Sequence, residues 1–254
     1  MTPESICPIC QGNRWVLEES GGSVRARRCG CLAERRSKVL LEQARIPRRY
    51  QSCSIETFEE HNDSHKNAKK ICKKLIDNYP EQYTGLLFLG DCGVGKTHLA
   101  VAIIKELIEK KSACCIFYDC RELIRNIYSS FSSESPVSDS EIIAPIIHSD
   151  VLVLDELGAK QDTPWVEEVI FYIINSRYNE KKLTIFTSNY PDSINEEDDD
   201  KPSKSGFFKD TKRKETLEDR IGFRIYSKIC EMCRKVHLFG KDYRTEYKQK
   251  GYQF

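Results

Sequence analysis

No stretch of this sequence is apolar for long enough to cross a bilayer. The longest apolar runs, such as Ile142 to Ile147, fall far short of the ~20 residues a spanning helix needs. No secretory leader is expected either, because Cys7, Cys10 and Arg14 interrupt the N-terminus before an apolar core could form. There is no surplus of one charge sign: the formal net charge is +1, so the total says little about partners. No internal repeat is apparent. Cysteine, in contrast, is plentiful, at twelve residues. On the expectation of no leader the chain is read as cytoplasmic, in a reducing compartment, and the cysteines read as metal ligands or small buried hydrophobes, not as a disulfide framework.

The 254 residues suit one α/β domain of ordinary size plus a small appendage. Residues 1–32 are rich in cysteine, glycine and arginine. Extended runs at Arg14–Glu18 and Val24–Arg28 flank Ser20-Gly21-Gly22-Ser23, which is a hairpin pattern. A basic connector, residues 33–46, reads as helix until Pro47 stops it. Between Val24 and Arg49 nine basic residues face only Glu34 and Glu42, a local net charge of +7. Such a cluster attracts phosphate or an acidic protein face, or it is simply a solvated helix surface.

From residue 47 onward strands and helices alternate. Predicted strands are Gly85–Leu89, Ala113–Tyr118, Val151–Leu154, Leu183–Thr187 and Val236–Phe239. Predicted helices surround Ala68–Tyr79 and cover Thr97–Lys111, Arg121–Phe131, Glu141–His148, Pro164–Asn179 and Thr216–Met232. The alternation implies a parallel sheet covered by helices on both faces. Residues 195–214, acidic and then rich in Lys, Ser and Gly, read as a mobile loop.

Gly90-Asp91-Cys92-Gly93-Val94-Gly95-Lys96-Thr97 has the spacing G-x-x-x-x-G-K-[ST] and lies between a strand and a helix, the context the motif requires. Its glycines let successive backbone N–H groups wrap phosphates, and the helix N-terminus adds positive potential. Lys96 is placed to reach the β- and γ-phosphates, Thr97 to offer a hydroxyl to Mg2+, and the nucleotide-contacting set extends to His98. Val151–Leu154 then delivers Asp155 and Glu156 to the C-terminal end of a buried strand. Asp155 is expected in the Mg2+ shell and Glu156 beside the attacking water.

Phosphate loop, Asp-Glu pair and then Thr187-Ser188-Asn189 follow the order seen in AAA+ ATPases, and Asn189 matches the sensor-1 position of that superfamily. The segment from Thr216 to Lys228 carries an apolar stripe, Leu217, Ile221, Ile225 and Ile229, beside a basic one, Arg220, Arg224 and Lys228. It looks like the arginine-finger helix of the family. Arg224 matches the finger that enters a neighbouring subunit's site, with Arg220 the weaker alternative.

Further fragments resemble the DnaC-like helicase loaders and their transposition relatives, the IstB-like ATPases. They are Ile46-Pro47-Arg48-Arg49-Tyr50, Val153 to Gly158, Ile174 to Tyr178, Ile185 to Tyr190 and Gly240-Lys241-Asp242-Tyr243-Arg244, spanning most of the chain. The resemblance implies an ATPase that binds a hexameric replicative helicase and helps place it on single-stranded DNA. It also implies homo-oligomers built through the ATP site. After Asn189 too few residues remain for a full helical lid, so a lid-borne sensor-2 arginine is expected to be absent and turnover by the monomer to be weak.

Cys7-Pro8-Ile9-Cys10 and Cys29-Gly30-Cys31 present four thiols from two short knuckles, which suits tetrahedral Zn2+. A region this small needs the metal to fold. Some DnaC-like loaders carry such a module and the transposition ATPases usually do not, so the loader reading leads. The alternatives are an IstB-like transposition ATPase, which binds duplex DNA and a transposase, and a nucleotide-gated adaptor that needs little hydrolysis. Trp15 and its neighbouring arginines fit either helicase docking or stacking on single strands. Arg121 and Arg125 are weaker candidates for DNA contact. Cys230 and Cys233, within the last predicted helix, read as buried and non-ligating, and His61 and His65 lack further ligands.

Overall fold

The computed structural model describes residues 6–20, 23–130, 139–159, 163–192 and 215–248. The loop expected at 195–214 therefore lies outside the described residues. A parallel five-stranded sheet forms the centre, in the order β4-β5-β6-β3-β7. Its strands are β3 (Gly85–Leu89), β4 (Cys115–Asp119), β5 (Val151–Asp155), β6 (Leu183–Ser188) and β7 (Cys233–His237). All four strand pairings are parallel, with Phe88 opposite Thr187 on one side of β3 and Val236 on the other.

Every residue of β3, β5 and β6 is buried, as expected for strands covered on both faces. Alternation along each strand sorts the side chains into two cores. Leu86, Phe88, Val151 and Val153 face α2 (Asp63–Asn78) and α3 (Lys96–Lys111). Leu87, Leu89, Leu152 and Leu154 face α4 (Cys120–Ser130), α5 (Asp139–His148), α6 (Pro164–Asn179), α7 (Leu217–Ile221) and α8 (Phe223–Met232). The α/β class and the parallel sheet covered by helices on both faces, expected from the alternation, are those observed.

Two local expectations are corrected. The helix read as continuous from Thr216 to Met232 is broken at Gly222, whose φ of 80 and ψ of 148 lie outside any helical region. Thr216 caps α7 through a reciprocal pair with Asp219, and the apolar stripe stays buried across the break. The last strand begins at Cys233, not Val236. Cys233 is thus a strand residue with its thiol against the Thr184 carbonyl at 3.4 Å.

At the N-terminus β1 (Trp15–Ser20) and β2 (Ser23–Arg28) pair antiparallel, with Trp15 opposite Arg28. Both strands are largely exposed, so the hairpin has no core of its own. Helix α1 (Cys31–Gln43) leads from it to the domain built on the five-stranded sheet. There Ala44, fully buried, accepts a hydrogen bond through its carbonyl from Phe117 N at 2.9 Å, on the outer edge of β4. No described helix is long and apolar enough to cross a membrane.

Candidate functional site

The phosphate loop runs from the end of β3 into α3. Gly95 has φ 98 and Gly93 φ 78, conformations that a side chain would strain. Space forbids one as well: a Cβ on Gly95 would meet the Phe58 ring at 2.6 Å, and on Gly93 the Asp242 carboxylate at 1.9 Å. Lys96 is buried at the loop's centre, where its ammonium donates to Gly90 O and Asp91 O, each at 2.7 Å. Burial pulls its pKa below the ordinary lysine value, opposed by the nearby carboxylates.

Asp155 ends β5, buried, and accepts from two hydroxyls: Thr97 Oγ1 at 2.9 Å and Thr187 Oγ1 at 2.6 Å. Burial raises its pKa, and these two hydrogen bonds resist the rise. Thr187 also accepts from the backbone N–H of Glu156 at 3.0 Å, and its carbonyl takes the N–H of Leu157 at 2.9 Å. The strand-end pair is thereby pinned, with Glu156 in a left-handed conformation, φ 58. Thr187 belongs to the run Thr187-Ser188-Asn189, but its role needed the β5–β6 adjacency to become visible.

The loop opens into a cleft of about 570 Å³ lined by Cys92 to His98, Glu156, Thr187 and Asn189. Phosphate loop, Asp-Glu pair and Asn189 are thus brought to one place. His98 donates from Nε2 to Ser54 O at 2.9 Å and packs edge-on to Phe58, so it fastens the segment that covers the loop. Glu156 has Arg121 at 3.9 Å. Arg125 is also exposed on α4, and no geometry gives it a ligand.

The opposite wall was not foreseen. Residues after β7 fold back across the phosphate loop: Tyr243 N donates to Gly93 O at 3.1 Å and its hydroxyl to Glu59 at 3.0 Å. Lys241 and Arg244 thereby line the cleft with Arg49 and Tyr50. Both segments lie in fragments quoted above for their resemblance, Ile46 to Tyr50 and Gly240 to Arg244. Only the fold brings them together.

Arg224 stands apart from the cleft of its own chain. It is 63% exposed at the start of α8, over the Phe171 ring and 3.6 Å from Glu168. Arg220 is committed within the chain instead, donating to Gly158 O at 2.9 Å and pairing with Glu215 at 3.0 Å. The two basic residues that looked alike on one stripe are separated by the break at Gly222.

At the far end the four cysteines converge. Cys7 and Cys29 sulfurs lie 3.8 Å apart, Cys10 and Cys31 3.5 Å, and all four fall within 4.8 Å of one another. A tetrahedral Zn–S4 centre has sulfur–sulfur edges of ~3.8 Å, so the set fits Zn2+. Burial opposes ionisation of Cys10, but hydrogen bonds from Arg14, Cys31, Gly12 and Cys7 outweigh it and hold its pKa at about 6. Burial and the neighbouring thiols push Cys31 up to about 12.

The replicative helicase loader DnaC of Buchnera aphidicola subspecies Baizongia pistaciae is 27% identical over 150 residues, 59% of this chain and 61% of that one. The chain thus matches about three fifths of that relative's length. The replicative helicase loader DnaI of Bacillus subtilis is 35% identical over 112 residues, 43% of this chain and 35% of its own. A crystal structure of the DnaC helicase loader superposes with a TM-score of 0.62 at 32% identity, over 76% of this chain and 100% of that one. Residues 13–250 match the family described as IstB-like ATP binding protein, and the chain belongs to that family.

Proposed function

We propose that this chain is an ATP-dependent loader that binds a hexameric replicative helicase and helps place it on single-stranded DNA. What carries the reading is the likeness to a helicase-loader structure over that structure's whole length, at 32% identity. The cleft supplies the chemistry. Lys96 binds the β- and γ-phosphates, while Thr97 and Asp155 hold the Mg2+ shell, a cation that neutralises charge developing between those phosphates. Glu156 takes a proton from water as its oxygen bonds to the γ-phosphorus and the bond to the β-phosphate oxygen breaks. Asn189 orients that water, and Arg224 reaches the cleft of an adjacent subunit. Arg244 and Lys241 supply cations in cis where a lid arginine was not expected. Cys7, Cys10, Cys29 and Cys31 hold structural Zn2+. By this division residues 1–32 form the zinc module, 33–46 the connector and 47–254 the ATPase domain.

The test is binding to the hexameric helicase of the same host, by size exclusion with mass determination, with and without ATP and Mg2+. A defined complex that is lost when residues 1–45 are deleted supports the loader and assigns docking to the N-terminal module. No complex in any nucleotide state overturns it in favour of a transposition-type ATPase, with duplex DNA as the next ligand. Hydrolysis is tested separately: Glu156→Gln should retain ATP and lose turnover, whereas Lys96→Ala should lose binding. Full loading by Glu156→Gln would instead identify a nucleotide-gated adaptor.

A further inference from the structure

Among the described residues Arg27, Arg45, Arg121, Arg220 and Arg224 each pair with a carboxylate. Arg49 lines the nucleotide cleft and has no carboxylate partner among the described residues. Its guanidinium lies over the Tyr50 ring, 4.6 Å from the centroid. Stacking uses the face of a guanidinium and leaves its N–H edge for a planar fork of hydrogen bonds, the geometry that phosphate oxygens accept.

Tyr50 fixes where that edge is presented. It is partly buried against the core, its ring 6.4 Å from Phe117, and it lines the same cleft as Thr97 and Arg244. Thr97 and Asp155 mark the cation end of a bound nucleotide, which is where the terminal phosphate sits.

The same segment is the end of the connector. Ala44 bonds to the edge of β4, Arg45 stacks over Tyr118 at 4.3 Å and pairs with Glu122 at 3.2 Å, and a 3-10 turn at Arg48–Tyr50 then enters the cleft. Farther back, Ser37 donates to Ile108 O at 3.3 Å on α3. One stretch of chain therefore links the zinc module, the sheet edge and the nucleotide.

We infer that Arg49 is a ligand, in its own chain, of the nucleotide's terminal phosphate, and that the connector carrying the N-terminal module is set by whether that phosphate is present. The inference rests on the ATP-binding reading and deepens it. A contact to the terminal phosphate exists with ATP and not with ADP, so it biases the connector by that differential affinity and nothing else.

The experiment uses full-length protein and measures equilibrium binding of ADP and of a non-hydrolysable ATP analogue with Mg2+. Hydrogen exchange over residues 31–46 is followed in parallel. Arg49→Ala should weaken the ATP analogue roughly tenfold to a hundredfold, the size of a charge-assisted hydrogen bond, and leave ADP within about threefold. Arg49→Lys should recover part of the loss. Exchange over 31–46 should differ between the two nucleotides in wild type, and that difference should vanish in Arg49→Ala. An equal loss for both nucleotides would mean a structural role and overturn the assignment, as would no loss at all. The same exchange with either nucleotide in wild type would overturn the coupling. Wild type that binds neither nucleotide would overturn the ATP-binding reading itself. Wild-type binding that Lys96→Ala abolishes and Arg49→Ala leaves untouched would sink only this inference.

Discussion

Arg177 is fully buried, and its guanidinium is held by oxygen dipoles alone: Ile146 O, Ile147 O, Ser149 O, Ser149 Oγ, Leu183 O and Thr184 Oγ1, at 2.7 to 3.1 Å. Two of these are carbonyls of the last turn of α5, which that helix cannot satisfy internally and where a cation is favoured. Burial still lowers the guanidinium's pKa, to about 10. Arg177→Ala would strand several buried acceptors at once, so a loss of about 3–5 kcal/mol is expected. It would read out as a lower urea midpoint with an unchanged slope. Thr187 makes a contrasting case. Thr187→Val keeps the shape but loses the bond to Asp155 and the acceptor for Glu156 N–H. Turnover should fall at least about tenfold with stability down by only ~1–2 kcal/mol, and Thr187→Ser should restore most of it. Equal activity in Val and Ser variants would show that the hydroxyl has no part in the site.

At the scale of elements, the break between α7 and α8 decides which arginine faces outward. Gly222 sits near a backbone region that only glycine enters readily, and a Cβ there would approach Glu167 Oε1 at 2.9 Å. Gly222→Ala should cost about 1–3 kcal/mol. It should also displace Arg224, so that turnover falls further than nucleotide affinity; unchanged turnover would exclude that coupling. This break also shows where reading the sequence stopped. Leu217, Ile221, Ile225 and Ile229 keep helical spacing through Gly222, and one glycine in an otherwise periodic stretch does not reveal its φ. The phosphate loop, the Asp155-Glu156 pair and the four cysteines were legible because a short motif or a fixed spacing carries each of them. Arg49, Thr187 and Arg244 were not, because their relation to the cleft depends on strand order and on a chain reversal that no local pattern encodes.

The whole molecule joins two parts stabilised by different means: a sheet with a two-sided core, and a hairpin without one. Removing metal with a chelator should therefore unfold residues 6–30, seen as lost exchange protection and a red shift of Trp15 emission in a Trp165→Phe background. Nucleotide binding should persist. Loss of binding together with the module would mean that the parts fold as one. Activity should also scale with assembly. Turnover per chain should rise with protein concentration in wild type and stay flat in Arg224→Ala, and full activity of that variant at saturating concentration would exclude the finger.

The position of β3 has a bearing on how the protein is made. This strand carries the phosphate loop, yet its neighbours β6 and β7 begin only at Leu183 and Cys233, and the chain that crosses the loop arrives later still, at Tyr243. During synthesis the nucleotide-binding loop emerges after residues 49–58, which line one wall of its cleft, but long before the strands on either side of β3. It waits beside an unpaired apolar strand until β6 has emerged, and β3 gains its second neighbour only with β7. Nascent chains stalled before residue 233 should thus be unable to retain ATP, and they are the species most in need of a chaperone.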